Sequence, residues 1–244
     1  MLRSLKGLSD FSIGATDEEI GKVHSFLFDS KTWVIRYLVA DTGRWLPGRK
    51  VLIAVSALGQ PNWEGRVFPV SLTKEQVKKA PGIDTDKPVS RQREIELHQY
   101  YSWAPYWAGY GVPLGGTPVS PPVDPEEAKE AAKGDPSLRS TREVKGYYIH
   151  AADGQIGHVE DFIAGDEDWV IRYLVVDTRN WLPGRSVLVS PQWVRQVSWD
   201  RQEVVVDAAK ETVKNCPTYN PSAPVNREYE IQLYDYYGRP KYWV

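Results

Sequence analysis

The sequence predicts a mainly β protein made of two tandem copies of one β unit, each finished by short helices and an aromatic C-terminal extension. Three observations predict it. The stretch Trp33 to Arg49, WVIRYLVADTGRWLPGR, returns at Trp169 to Arg185 as WVIRYLVVDTRNWLPGR. The shift of 136 positions holds without a gap over residues 3–108 against 139–244, with 43 identities in 106 pairs. The shared stretch is itself a strand that runs into a tight turn and a second strand. The organisation that follows is one repeat over 1–108, a linker over 109–136 and a second repeat over 137–244.

Each copy opens on matched positions, Ile13, Ala15 and Asp17 with Ile149, Ala151 and Asp153. Ile20-Gly21-x-Val23-x-x-Phe26 then matches Ile156-Gly157-x-Val159-x-x-Phe162. This is a strand whose glycine marks a bend or a close backbone approach. The polar runs Asp29 to Thr32 and Gly165 to Asp168 make the hairpin connection to the next strand. In that strand Trp33, Ile35, Tyr37 and Val39 share one face by the two-residue period, and Val34, Leu38 and Ala40 share the other. A strand apolar on both faces is covered on both sides. Only Arg36, matched by Arg172, interrupts the pattern; such a side chain snorkels to a rim or pairs with an acid, and Asp41 and Glu94 of the same copy are the candidates.

Asp41 and Asp177 end the strand. Pro47-Gly48-Arg49 and Pro183-Gly184-Arg185 form a type II turn, with proline fixing φ and glycine taking φ > 0. Trp45 and Trp181 sit at the loop tips, where each either covers its own barrel end or contacts a partner. Trp63 pairs with Trp199 and precedes a short strand at Arg66 to Val70. Ser71 to Pro81 is a short helix, with Thr73 and Gln76 as a capping box and Pro81 as the stop. In the second copy Asp207, one turn earlier, is the candidate cap. Cys216 aligns with Ala80, which fits a small helix-end residue better than a reactive thiol. Each copy ends on an aromatic segment: Glu94-Ile95-x-Leu97-x-x-Tyr100-Tyr101 with Tyr106-Trp107, matched by Glu230-Ile231-x-Leu233-x-x-Tyr236-Tyr237 with Tyr242-Trp243. The 3-to-4 spacing of the apolar positions favours a helix for its first part. The linker is rich in Pro and Gly, and Asp124 to Gly134 within it has the capping pattern of a one-to-two-turn helix.

With the Ile-Gly-x-Val strand, the long apolar strand and the Pro-Gly-Arg turn in place, both copies resemble the PRC-barrel family. That family includes the cytoplasmic domain of the photosynthetic reaction-centre H subunit and a barrel domain of a ribosome-maturation factor. The resemblance implies a small, highly bent β-barrel per copy. It also implies two possible settings, an accessory subunit of a photosynthetic or electron-transfer complex, or an accessory of ribosome and RNA maturation. The H subunit carries an N-terminal membrane helix, and residues 1–12 do not form one.

Composition narrows the function. The net charge is −2, with +3 in the first repeat, −3 in the linker and −2 in the second, which argues against a nucleic-acid partner. One cysteine forbids an internal disulfide. Neither a signal peptide nor a membrane span is written in the sequence, which points to the cytoplasm and leaves peripheral membrane association open. The histidines, His24, His98, His150 and His158, are not repeated and lack metal-ligand spacing; no nucleophile motif or phosphate-cradling loop is present. No catalytic residue, metal or cofactor is expected. The repeated charges (Asp17/Asp153, Arg36/Arg172, Asp41/Asp177, Arg49/Arg185, Glu75/Glu211, Arg91/Arg227, Glu94/Glu230) favour salt bridges and turn contacts over chemistry. The expectation is a non-catalytic protein-interaction or scaffold module. Its contact residues would be Trp45, Trp181, Tyr106, Trp107, Tyr242 and Trp243, facing the other copy, a homo-oligomer or a protein partner.

Overall fold

A computed structural model describes residues 1–43, 45–81, 89, 91–107, 138–178 and 185–244. The expected linker and its short helix, together with Trp181, Pro183 and Gly184, lie outside the described residues. In the first half the elements are β1 (Leu2–Ser4), α1 (Leu5–Leu8), β2 (Ser12–Gly14), β3 (Glu19–Asp29), β4 (Ile35–Asp41), β5 (Lys50–Ala54), a 3-10 turn (Val55–Ala57), β6 (Val67–Pro69), α2 (Lys74–Lys79) and α3 (Arg91–Tyr101). The second half repeats them as β7 (Leu138–Ser140), α4 (Thr141–Val144), β8 (Tyr148–Ala151), β9 (Gly154–Gly165), β10 (Ile171–Asp177), β11 (Ser186–Val189), a 3-10 turn (Pro191–Trp193), β12 (Val194–Ser198), β13 (Glu203–Val206), α5 (Lys210–Asn215) and α6 (Arg227–Tyr237).

The strands make two sheets, so the protein is mainly β, as expected. One runs β5-β4-β3-β2-β6, with β7 beside β3; the other runs β11-β10-β9-β8-β13-β12, with β1 beside β9. Pairing among the described residues leaves both sheets open rather than closed into barrels. In the second sheet the chain passes from edge strand β11 through the 3-10 turn straight into the opposite edge strand β12. At that place in the first sheet Pro61 lacks an N–H, and only two isolated bridges form, Leu58 to Val70 and Asn62 to Val67.

The chain divides into two compact units, and they do not follow the repeat boundaries. One is Asp10–Lys31 with Arg36–Ser140; the other is Met1–Ser9, Thr32–Ile35 and Thr141–Val244. Strand pairing is the reason. β1, from the first copy, runs antiparallel to the end of β9, with Arg3 opposite Ala164. β7, from the second copy, runs antiparallel to the end of β3, with Arg139 opposite Phe28. Each unit thus contains the N-terminal Leu-Arg-Ser strand of the other copy.

The local chemistry repeats closely. β4 is buried on both faces, with Ile35, Tyr37, Leu38 and Ala40 fully enclosed. Positive φ recurs at matched positions: Asp10 with Gly146, Gly21 with Gly157, Trp33 with Trp169, Arg66 with Gln202, and Ser102 with Gly238. A left-handed tryptophan is costly, on the order of 1–3 kcal/mol. Its repetition places Trp33 and Trp169 in like settings: Ile35 N–H donates to the Trp169 carbonyl (2.7 Å), and Ile171 N–H donates to that of Trp33 (2.9 Å). The bent Ile-Gly strand is also as expected. A side chain on Gly21 or Gly157 would run into the carbonyl of Asp41 or Asp177, one strand over.

Candidate functional site

The repeated charges and aromatics gather at the C-terminal helix of each copy. In the first copy the carboxylate of Glu94, 1% exposed, accepts hydrogen bonds from the Tyr37 hydroxyl of β4 (3.0 Å) and the Tyr106 hydroxyl of the aromatic segment (2.5 Å). Arg91, one helical turn away, pairs with it at 2.8 Å and also donates to the Tyr106 oxygen at 2.9 Å. His98 Nε2 lies 2.7 Å from the Tyr37 oxygen, and its ring stands against Trp103 and Trp107. In the second copy Glu230, 2% exposed, accepts from Tyr173 (2.7 Å) and Tyr242 (2.8 Å) and pairs with Arg227 (3.0 Å). Arginine planes complete both clusters. Arg36 lies 4.1 Å over the Tyr106 ring and Arg172 lies 4.2 Å over Tyr242, while Arg91 and Arg227 cover Trp107 and Trp243.

Burial sets the electrostatics. It pushes the Glu94 carboxyl up, against the opposing pull of Arg91 and the two tyrosines. It raises Tyr37, Tyr106 and Tyr173 well above the ordinary phenol range, with the neighbouring glutamate adding to the effect. Tyr242, less enclosed, is pushed up to about 12. With Glu94 ionised and acceptor-only, Tyr37 gives it its one proton and accepts from His98 Nε2–H.

A second repeated construction clamps the short helix. The Asp17 carboxylate receives Lys74 N–H at the start of α2 (2.9 Å), and Asp153 receives Lys210 N–H at the start of α5 (2.7 Å). At the other end Arg49 donates to the Lys78 and Ala80 carbonyls, and Arg185 donates to those of Lys214 and Cys216. An acid at the N-terminus and a cation at the C-terminus both complement the helix dipole. The Thr73–Gln76 capping box is present. Asp207 is not the cap of α5: Ala209 holds that position without a side-chain bond, and Asp207 pairs with Arg195 and Arg239 instead.

The described candidate residues take the following places. Arg36 does not pair with Asp41 or Glu94 but lies on Tyr106; Arg172 does meet a carboxylate, Asp168, four residues before it. Asp41 caps its own turn through Gly43 N–H. Pro47 and Gly48, the latter at φ 72°, make the turn that presents Arg49. Trp45 covers its own unit, its indole N–H donating to the Ile20 carbonyl at 2.8 Å. Tyr106, Trp107, Tyr242 and Trp243 make these contacts with their own helix, and each stays partly exposed. Cys216 is a buried helix-end residue whose thiol burial pushes up. Among the described residues no cluster of His, Cys, Asp or Glu is placed to hold a metal, and no helix is long and apolar enough to cross a membrane.

The copies differ in one informative way. Tyr101 is stacked by Trp103 at 4.2 Å, whereas its equivalent Tyr237 is covered by Trp193 at 4.5 Å. Where one copy has Trp103 the other has Arg239, and where one has Trp193 the other has Ala57. The same ring is covered by a tryptophan from a different element.

His98, matched by Tyr234, gives the first cluster a pH dependence of its own. Burial pushes its pKa down, against the backbone of Trp103 and Ala104, so the folded state favours the neutral ring. A base depressed on folding costs stability as pH falls below its unfolded value, near 6.5, toward its folded one. His98→Gln keeps a donor toward Tyr37 and cannot titrate. Chemical denaturation at pH 7.5 and 5.5 should show wild type losing more stability than H98Q over that interval. Equal losses would mean His98 is free to protonate in place.

No family model matches the chain. An uncharacterized protein of Deinococcus radiodurans is 34% identical to it over 99 residues, covering 35% of this chain and 35% of that protein. The chain therefore corresponds to about a third of the relative's length.

Proposed function

We propose that the chain is a cytoplasmic, non-catalytic protein-interaction scaffold, and that each unit is a PRC-type barrel. One observation carries the scaffold reading. In both copies the buried acid is already occupied by two tyrosine hydroxyls and an arginine of its own unit. A general acid or base needs hydrogen-bond reach to a reacting group. Here that reach is spent on fixing the aromatic segment, whose rings keep part of their surface in solvent. Rigid, partly exposed Tyr and Trp rings flanked by arginines are the side chains that dominate binding hot spots. The barrel reading is supported by the bent glycine strands of both units and, in the second sheet, by the single turn that leads from one sheet edge to the other.

The test is quantitative capture from a lysate of the native host by the immobilised protein and by a Trp107→Ser/Trp243→Ser variant. The variant must keep the circular dichroism of the wild type. A partner retained in stoichiometric amount by wild type and lost by at least about tenfold in the variant supports the reading. An identical captured set overturns it for the aromatic face, and turnover of any substrate by the purified protein overturns the non-catalytic assignment.

A further inference from the structure

We propose that the C-terminal half of β9 is a strand-docking site, filled in this chain by residues 1–9 and able to take the same segment from a second molecule. The inference goes beyond the scaffold reading and does not rest on it. Three features define the site. The backbone of β1 adds to the sheet over Leu2, Arg3 and Ser4, opposite Gly165, Ala164 and Ile163. The apolar side chains that follow, Leu5 and Leu8, are buried at 4% and 1% exposure. Side chains then hold the occupant. Arg3 pairs with Asp166 (3.0 Å), and the Ser4 hydroxyl donates to Asp161 (2.5 Å). Asp161 also receives Lys6 N–H (2.9 Å), while Lys6 Nζ reaches Glu160 (2.9 Å).

These acids belong to one copy only. The positions of Glu160, Asp161 and Asp166 are His24, Ser25 and Ser30 in the other. The gapless repeat makes the two Leu-Arg-Ser segments locally equivalent, yet each lies beside the long strand of the opposite copy. The acidic set on β9 distinguishes the two grooves and matches the basic Arg3 and Lys6. Edge pairing of this kind is the usual chemistry of strand addition and swapping. Asp161 is buried deeply enough to raise its carboxyl, and Ser4, Lys6 and the Phe162 N–H oppose that shift.

The experiment uses the chain lacking residues 1–9 and a fluorescent peptide of residues 1–9. Anisotropy should show saturable binding to the shortened chain, at least about tenfold weaker binding to the full chain, whose site is filled, and a similar loss for a peptide carrying Arg3→Glu. Equal or undetectable binding to both chains, with the shortened one folded, overturns the proposal, as does an R3E peptide that binds as well as the original. If the shortened chain does not fold alone, refolding with and without peptide becomes the readout: recovery of the native far-ultraviolet spectrum only with peptide supports docking, and no recovery refutes it.

Discussion

Gly157→Ala should unfold or nearly unfold the second unit, with a loss of at least about 3 kcal/mol in chemical denaturation. Two costs combine. The backbone sits at φ 151°, a region that only glycine enters freely. Forcing an L-residue there costs on the order of 1–3 kcal/mol. The added methyl would also overlap the Asp177 carbonyl oxygen, stand 3.0 Å from its carbon, and press on Val176 at 3.1 Å. Asp177 is itself 2% exposed and paired in the β10–β9 ladder, so the backbone has nowhere to retreat. Overpacking of this kind costs a further ~1–3 kcal/mol. Against a total stability of about 5–15 kcal/mol, that is a large fraction. Gly43→Ala provides the comparison: it also has positive φ, at 61°, but nothing lies within 4 Å of the added carbon. It should cost only about 1–2 kcal/mol. Equal losses at the two positions would show that backbone strain alone, without the strand contact, explains the glycine.

What was legible in the sequence was whatever is decided locally or by repetition. The Gly-x-Val bend, the two-faced strand, the Pro-Gly turn and the Thr73–Gln76 box each depend on a handful of neighbouring residues. The helix of the aromatic segment followed from its apolar spacing and is found as α3 and α6. The cap of α5 was missed because its acid, Asp153, lies 57 residues upstream. The clue was present: Asp17 and Asp153 are both retained in a copy pair that has lost more than half its identities. The ring partner of Arg36 was missed for a similar reason. A cation on an apolar strand suggests a carboxylate, and only the fold shows that Tyr106 lies nearer.

The exchange of the N-terminal strands was not legible, and a repeat explains why. Two identical Leu-Arg-Ser segments carry no information about which long strand each one joins. The discriminating residues, Glu160, Asp161 and Asp166, fall in a strand and a polar hairpin, where acids raise no alarm. The buried clusters were closer to visible. Glu94 and Glu230 stand on helices among apolar residues, and Tyr106 and Tyr242 follow each by the same twelve positions. A glutamate held on an apolar helix face, with a matched tyrosine at a fixed distance, signals a buried acid with a private donor.

That acid gives the second large effect. Glu94→Ala should cost about 3–5 kcal/mol, the range seen when one partner of a buried ion pair is removed. The loss comes less from missing bonds than from what remains. The Tyr37 hydroxyl is fully buried, and Tyr106 and Arg91 are mostly covered; all three lose the acceptor that justified their desolvation. Glu230→Ala removes the same three contacts but should cost less, because the Arg227 side chain is 51% exposed against 24% for Arg91 and recovers its hydration. Glu94→Gln retains an acceptor for the tyrosines and loses only the charge, so it should fall between wild type and Glu94→Ala. Glu94→Ala should also release the aromatic segment, read as a red shift of tryptophan fluorescence and faster proteolysis next to Trp107. A double-mutant cycle with Tyr37→Phe separates the terms: coupling above about 0.5 kcal/mol is expected for residues in one network. If Glu94→Ala costs under about 1 kcal/mol and the Trp107 segment stays protected, the cluster does not hold the segment and the rings are fixed by packing alone.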